Sequence, residues 1–261
     1  MSLSLDYSST FNQKHYNAFG NEVDAGHTSL DNLNISGTYS PSDRVMLNAS
    51  LPFVNASYRG MSPHPSPVDD GRWHGTVTDL FLSVHFQVSE FPIAFAPYVG
   101  ALIPTHKYVT MGHAAPGRGL EEYWFGFYAG RSPNDWLPRT YVQTRLNYAF
   151  VEEVGNVAHD RTNASFEIGH FLNESWSGRI LVARKWTHGG IDVPIPITSP
   201  LFHFHDQLAA EELLNLGGGI SWTVNDRMTV YGLYMQSLEG ENAHKVDHRV
   251  SLGVSYSPGG H

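Results

Sequence analysis

The sequence predicts an all-β fold: a 12-stranded antiparallel up-and-down transmembrane β-barrel over residues 1–257, with a short tail at 258–261. Three observations carry this expectation. Apolar and polar residues alternate with period 2 in twelve segments, while the helical period of 3.6 is nearly absent. Short and long links alternate along the chain. The polar faces of the segments carry charges that a dry core would hold only at several kcal/mol per unpaired ion, roughly.

The segments fall at about 2–9, 29–39, 44–57, 76–88, 93–105, 119–131, 139–151, 161–172, 176–187, 210–223, 227–238 and 244–256. After even-numbered segments come short runs of turn formers: Ser40–Asp43, Ser89–Pro92, Ser132–Pro138, Asn173–Ser175 and Val224–Asp226. After odd-numbered segments come Thr10–Thr28, Tyr58–Gly75, His106–Arg118, Glu152–Asp160, His188–Ala209 and the shorter Glu239–Ala243. Only Asp206–Leu216 could pass as a helix. An even-stranded meander with one short-turn end and one long-loop end is the layout of an outer-membrane barrel, with both termini at the periplasmic, short-turn end.

The faces agree with that layout. Leu80, Leu82, Val84, Phe86 and Val88 oppose Asp79, Phe81, Ser83, His85 and Gln87. Val142, Leu146, Tyr148 and Phe150 oppose Gln143, Arg145 and Asn147, and in the last segment Val250, Leu252, Val254 and Tyr256 oppose Arg249, Ser251, Gly253 and Ser255. In a barrel immersed in lipid the interior is wet, so Asp79, His85, Arg145, Glu167, Arg179 and Arg249 are expected to line the pore. Aromatic residues near segment ends, among them Trp73, Tyr108, Tyr123, Trp124, Trp136, Tyr141, Trp176, Trp186, Trp222 and Tyr256, are expected to form interfacial girdles.

Composition narrows the function. Charged residues make up 16%, against about 25% in ordinary soluble domains. A net charge of −9 argues against a nucleic-acid partner. The absence of cysteine excludes disulfides and thiolate metal sites. The chain opens on "MSLSLDYSS", already strand-like, so it is expected to be a mature segment with an added start or a protein that is not exported.

The stretches "GTVTDLFLSVHFQV", "VGALIPTHKY", "GRGLEEYWFGFYAGR", "LNYAF" and "SLEGENAHKVDHRVSLGVSYS" resemble the transporter-like outer-membrane family named for the MetA-pathway of phenol degradation. They span about residues 75–257. The resemblance implies a bacterial outer-membrane barrel that passes small organic molecules, and it brings no catalytic residue with it. The chain departs from the outer-membrane pattern after Tyr256, where a barrel strand usually ends on an aromatic residue and "SPGGH" follows instead.

No enzyme is expected. The sequence has no G-x-S-x-G elbow, no HExxH and no P-loop. The adjacent pairs Glu121–Glu122 and Glu211–Glu212 point to opposite faces of a strand and make poor acid–base partners. Histidine is unusually abundant: of fifteen, eleven lie in or beside long links, namely His15, His27, His64, His74, His106, His113, His159, His188, His203, His205 and His244. If "FHFHD" is extended, His203 and His205 share a face beside Asp206, and with His188 they form a candidate zinc or copper set. Otherwise no cofactor is expected.

The function expected is a passive outer-membrane channel for small molecules, aromatic or hydrophobic ones included, whose lumen charge sets selectivity. Its partners would be the lipid bilayer, the cargo and the barrel-assembly machinery. Links Tyr58–Gly75 and His188–Ala209, each with three prolines, are long enough to fold inward. The competing expectation is a closed-lumen surface barrel whose His-rich loops bind a metal or a partner.

Overall fold

Lipid offers backbone groups no hydrogen-bond partner, so a sheet that crosses it must close on itself. The computed structural model, which describes residues 1–60, 66–134 and 136–259, has that closure. The strands are β1 (Ser2–Tyr16), β2 (Glu22–Ser42), β3 (Val45–Arg59), β4 (His74–Val77), β5 (Asp79–Phe86), β6 (Ala94–Pro104) and β7 (Glu122–Arg131). There follow β8 (Thr140–Val151), β9 (His159–Phe171), β10 (Trp176–Gly189), β11 (Glu212–Asn225), β12 (Met228–Glu241), β13 (Ala243–His244) and β14 (His248–Tyr256). Twelve of them form a closed, all-antiparallel barrel. The ring is sealed by β1, which pairs with β2 on one side and with β14 on the other, from Leu3↔Tyr256 to Phe11↔His248. The two short strands lie outside the twelve: β4 pairs with β3, and β13 pairs with β1.

The short links stay short, as the turn residues predict. Several strand limits differ from the sequence expectation: the segment at 76–88 is broken at Thr78 into β4 and β5, and the one at 244–256 is divided between β13 and β14. The link placed at Thr10–Thr28 is mostly strand: β1 runs to Tyr16, β2 starts at Glu22, and His15 pairs with Val23. Here the hairpin stands above the lipid with water outside, so its outer face need not be apolar and the alternation that marks a lipid-facing strand is lost. The helix-like run at Asp206–Leu216 holds one helical turn, α1 (His205–Leu208), before β11 begins at Glu212.

The outer face is apolar. Ile180, Ile220 and Leu252 are 58%, 55% and 58% exposed, values that mark a lipid-facing surface on a barrel rather than a packed core. Trp176 and Trp222 pair directly across β10 and β11 near the short-turn end, stacked at 5.7 Å. Tyr123, Trp136 and Tyr256 are also exposed. Trp124 and Tyr141, expected in the girdles, instead turn inward, because each follows the parity of the polar face of its strand, and Tyr108, also expected there, lies on a loop inside the barrel and bonds to Asp79. Apart from Tyr98, the buried apolar residues sit inside the long-loop end. Ala56, Tyr58, Val68 and Ala114 form one cluster, and Tyr16, Leu213 and Ala243 another. The link histidine His64 and the tail residues Gly260 and His261 lie outside the described residues.

The lipid-facing assignment makes a prediction. Leu252→Arg should destabilise the barrel by about 2–4 kcal/mol in urea refolding into liposomes. Ser251→Gln, one residue away on the inner face, should shift stability by less than about 1 kcal/mol.

Candidate functional site

The lumen has two parts of different character. Toward the short-turn end lies a cavity of about 840 Å³ lined by Ser50, Phe81, His85, Tyr98, Trp124, Tyr128 and Arg145, among others. Arg145 is its centre. Its Nε donates to Tyr98 Oη at 3.0 Å, and its guanidinium lies 5.3–5.5 Å from the ring centroids of Tyr98, Trp124 and Tyr128. His85 stacks on Tyr98 at 4.9 Å, and Phe81 packs against Trp124. Among the described residues no carboxylate pairs with Arg145. The wall thus holds the Arg145 charge among aromatic rings, with Asp43 and Arg44 at its short-turn end.

Two glycines keep rings flat on the wall. Tyr141 lies directly opposite Gly169 across β8 and β9, and a Cβ on Gly169 would meet the tyrosine ring at 2.2 Å. Tyr231 lies likewise over Gly253 on β14, where a Cβ would come within 2.4 Å of the ring. The rings are tethered: Tyr141 Oη donates to Glu167 at 2.7 Å, and Tyr231 Oη donates to Asp6.

The six residues expected in the pore all lie on the inner face, but not as one field. Glu167 faces Arg179 at 3.9 Å, so these two charges largely offset each other. Arg249 donates to Ser8 Oγ at 3.1 Å. Asp79 stands higher, where Tyr108 Oη donates to it at 2.6 Å. Burial and that carboxylate push the Tyr108 phenol well above its ordinary range. His85 and Arg145 alone meet in the aromatic cavity.

The long-loop end is filled by three loops. Asp69 Oδ1 and Oδ2 accept from the backbone N–H groups of Ala114 and His113, each at 3.0 Å. Asp206 Oδ2 accepts from Gly112 N at 2.7 Å, and Gln207 Nε2 donates to the Arg118 carbonyl at 2.6 Å. The links expected to fold inward do so where they are described. The loop at 105–121, read from sequence only as a long link, is the one they both hold.

Beneath the loops runs a layer of ion pairs. Arg161 pairs with Glu122, and Glu211 accepts from both Arg118 and Lys185. Burial alone would raise the Glu211 carboxyl, but Lys185 and Arg118 beside it outweigh burial and hold it at about 2. Above this layer is a second cavity of about 480 Å³ whose lining includes Arg118, Asp206, Glu211 and three histidines, His15, His113 and His244. His244 is held well below the ordinary histidine range by burial and by the two neighbouring rings.

Of the metal set expected from sequence, His205 and Asp206 meet, Nε2 to Oδ1 at 3.4 Å, and His203 and His188 point elsewhere. Phe202–Phe204 form a 3₁₀ turn that leads into α1, so His203 and His205 do not share an extended face. His203 is exposed, whereas His205 Nδ1 donates to the Phe202 carbonyl, 2.5 Å away. His188 projects from the outer face of β10, stacked on Tyr148 and bonded to Thr162 Oγ1 at 2.7 Å. His205 and Asp206 both line the inner cavity. The histidines that do converge were among the eleven near long links, but residue spacing gave no reason to group them.

No protein-family model matches the sequence, and no curated protein sequence matches it. Solved structures share the fold. The COG4313 outer membrane channel from Pseudomonas putida F1 superposes with a TM-score of 0.74 at 15% identity, covering 98% of this chain and 94% of that one. The NanC porin gives 0.55 at 8% identity, covering 98% and 99%. The KdgM porin in complex with disordered oligogalacturonate gives 0.51 at 10%, covering 97% and 98%. With its apolar belt and closed ring, the protein is a barrel suited to the bacterial outer membrane.

The ion layer yields two expectations. Glu211→Gln leaves Arg118 and Lys185 without their shared counter-charge, and should cost about 3 kcal/mol in urea refolding. Because the Glu211 carboxyl is lowered, its contribution is complete above the unfolded value near 4.3 and fades as pH falls toward about 2. Protease access to the long loops of the wild-type barrel should therefore stay constant from pH 7 to about 5 and rise below about pH 3.

Proposed function

We propose that the protein is an outer-membrane channel for passive passage of small organic molecules, with a preference for aromatic compounds that carry a negative group. The observation that supports this most directly is Arg145, a positive charge without a carboxylate partner among the described residues, set among Tyr98, Trp124 and Tyr128 at the wall of a water-accessible cavity. Rings offer stacking surface to an aromatic cargo, and the guanidinium offers a bidentate contact to a carboxylate. The fold shared with the COG4313 channel and with two porins favours transport over catalysis. The glycine–aromatic motifs favour membership of the MetA-pathway phenol-degradation family.

In this reading the loops gate the channel. The layer formed by Glu122, Arg161, Arg118, Glu211 and Lys185 separates the two cavities, and passage requires that it part or that its side chains swing aside. The same layer favours a second reading, a barrel sealed at its mouth that acts as a surface binder.

Planar-bilayer recordings separate the two. A channel gives discrete conductance steps and admits benzoate into liposomes faster than a neutral sugar of similar size. Arg145→Ala should cut the benzoate rate several-fold and shift the reversal potential toward cations, leaving the sugar rate within about twofold. Absence of current from the wild-type barrel, and from Glu211→Gln with its weakened layer, would sink the channel reading.

A further inference from the structure

The three histidines of the upper cavity are not explained by passage. They come from distant parts of the chain. His15 stands near the end of β1, His244 is its direct cross-strand partner on β13, and His113 drops onto the pair from the loop at 105–121. Ring centroids lie 3.9 Å apart for His15–His244, 5.0 Å for His15–His113 and 5.9 Å for His113–His244. One nitrogen from each ring falls within 4.8 Å of the other two.

We propose that His15, His113 and His244 form a binding site for a divalent transition-metal ion of the zinc, nickel or copper class. Three imidazoles are the donor type such ions select. A zinc–nitrogen bond of about 2.0–2.1 Å places ligand nitrogens roughly 3.4 Å apart around a tetrahedral ion, so small side-chain rotations close the observed separations. His244 Nδ1 is buried and has no hydrogen-bond partner among the described residues. A metal would satisfy a buried polar atom that otherwise incurs a desolvation cost.

The site is supported from behind. Tyr58 stacks on His113 at 4.3 Å and is itself fixed by donating to the Ala25 carbonyl at 2.7 Å. The backbone on either side of the His113 ring is pinned, Gly112 N by Asp206 and His113 N by Asp69. Outer-shell restraint of this kind sets ligand orientation and tunes affinity. The cavity leaves room for water or an exogenous donor at the fourth position. Occupancy would tie the loop at 105–121 to the barrel wall. The site does not rest on transport, since a sealed barrel would bind the same ion.

The test uses the full chain folded in detergent micelles, stripped with chelator and titrated with Zn²⁺ and with Co²⁺. One saturable site per barrel is expected, with visible Co²⁺ bands of a four-coordinate ion that Zn²⁺ removes. His113→Gln alters a loop residue and should lower affinity at least tenfold and abolish the bands, with the heat-modifiable gel shift of a folded barrel retained. His15→Gln and His244→Gln should do the same where they fold. The double variant His203→Gln/His205→Gln should bind as the wild type does. The proposal is overturned if the wild type shows no saturable binding, or if stoichiometric binding with unchanged bands survives His113→Gln.

Discussion

Every feature of this barrel depends on one constraint: in lipid, a backbone N–H or C=O without an internal partner costs several kcal/mol, roughly. A sheet meets that constraint only by having no edge. The pairing of β1 with β14, from Leu3↔Tyr256 upward, is therefore the contact that makes the other eleven strand pairs viable in a membrane. Closure fixes parity as well. Once Leu252 faces lipid, Arg249 and Ser251 face the lumen, and the same choice propagates through the ladder to Leu82 against Ser83 and to Ile168 against Glu167. Charges enter the interior because the outside will not take them.

The interior then solves its own electrostatic problem in two ways. Near the short-turn end, water and aromatic faces solvate the Arg145 guanidinium, and neighbouring charges such as Glu167 and Arg179 stand loosely opposed. Near the long loops, burial removes water. The side chains of Glu122 and Arg161 are 4% and 11% exposed, so those charges persist only as close pairs. The loops themselves are held by carboxylates aimed at backbone N–H groups: Asp69 and Asp206 each cap part of the segment 112–114. A long loop folded into a barrel carries polar backbone groups into a low-dielectric space, and these carboxylates supply the partners those groups need.

The fold was legible in the sequence because its governing constraint leaves a period-2 trace wherever one face meets lipid. Legibility ended where lipid ended. His15 and Tyr16 lie above the lipid, where the outer face meets water and the ladder to β2 shifts register between Asn12 and Lys14, so "NQKHY" reads as a link although it is strand. The inward-facing side of Arg145 and His85 was readable from parity alone. The basket around Arg145 was not, because Tyr98, Trp124 and Tyr128 belong to other strands and meet it only through the register of β6, β7 and β8. The FHFHD set failed for a local reason: an H-x-H pair shares a face only in extended chain, and the peptide there turns through a 3₁₀ step into α1.

The histidine convergence differs, because part of it was implicit in the closure. The register that pairs Phe11 with His248 on β14, carried four residues further along β1, pairs His15 with His244 on β13. First and last strands must meet in any such barrel, so that pair follows from the ring once its register is known. The third histidine does not follow from any strand pattern. His113 arrives on a loop whose path is set by Asp69 and Asp206, residues from two other loops, and by the stacking face of Tyr58. The wall supplies two rings by necessity of closure, and the loops supply one by hydrogen bonds that could have placed any other residue there. An imidazole at the one position where the plug meets the closing seam is the feature that the barrel architecture alone leaves unaccounted for.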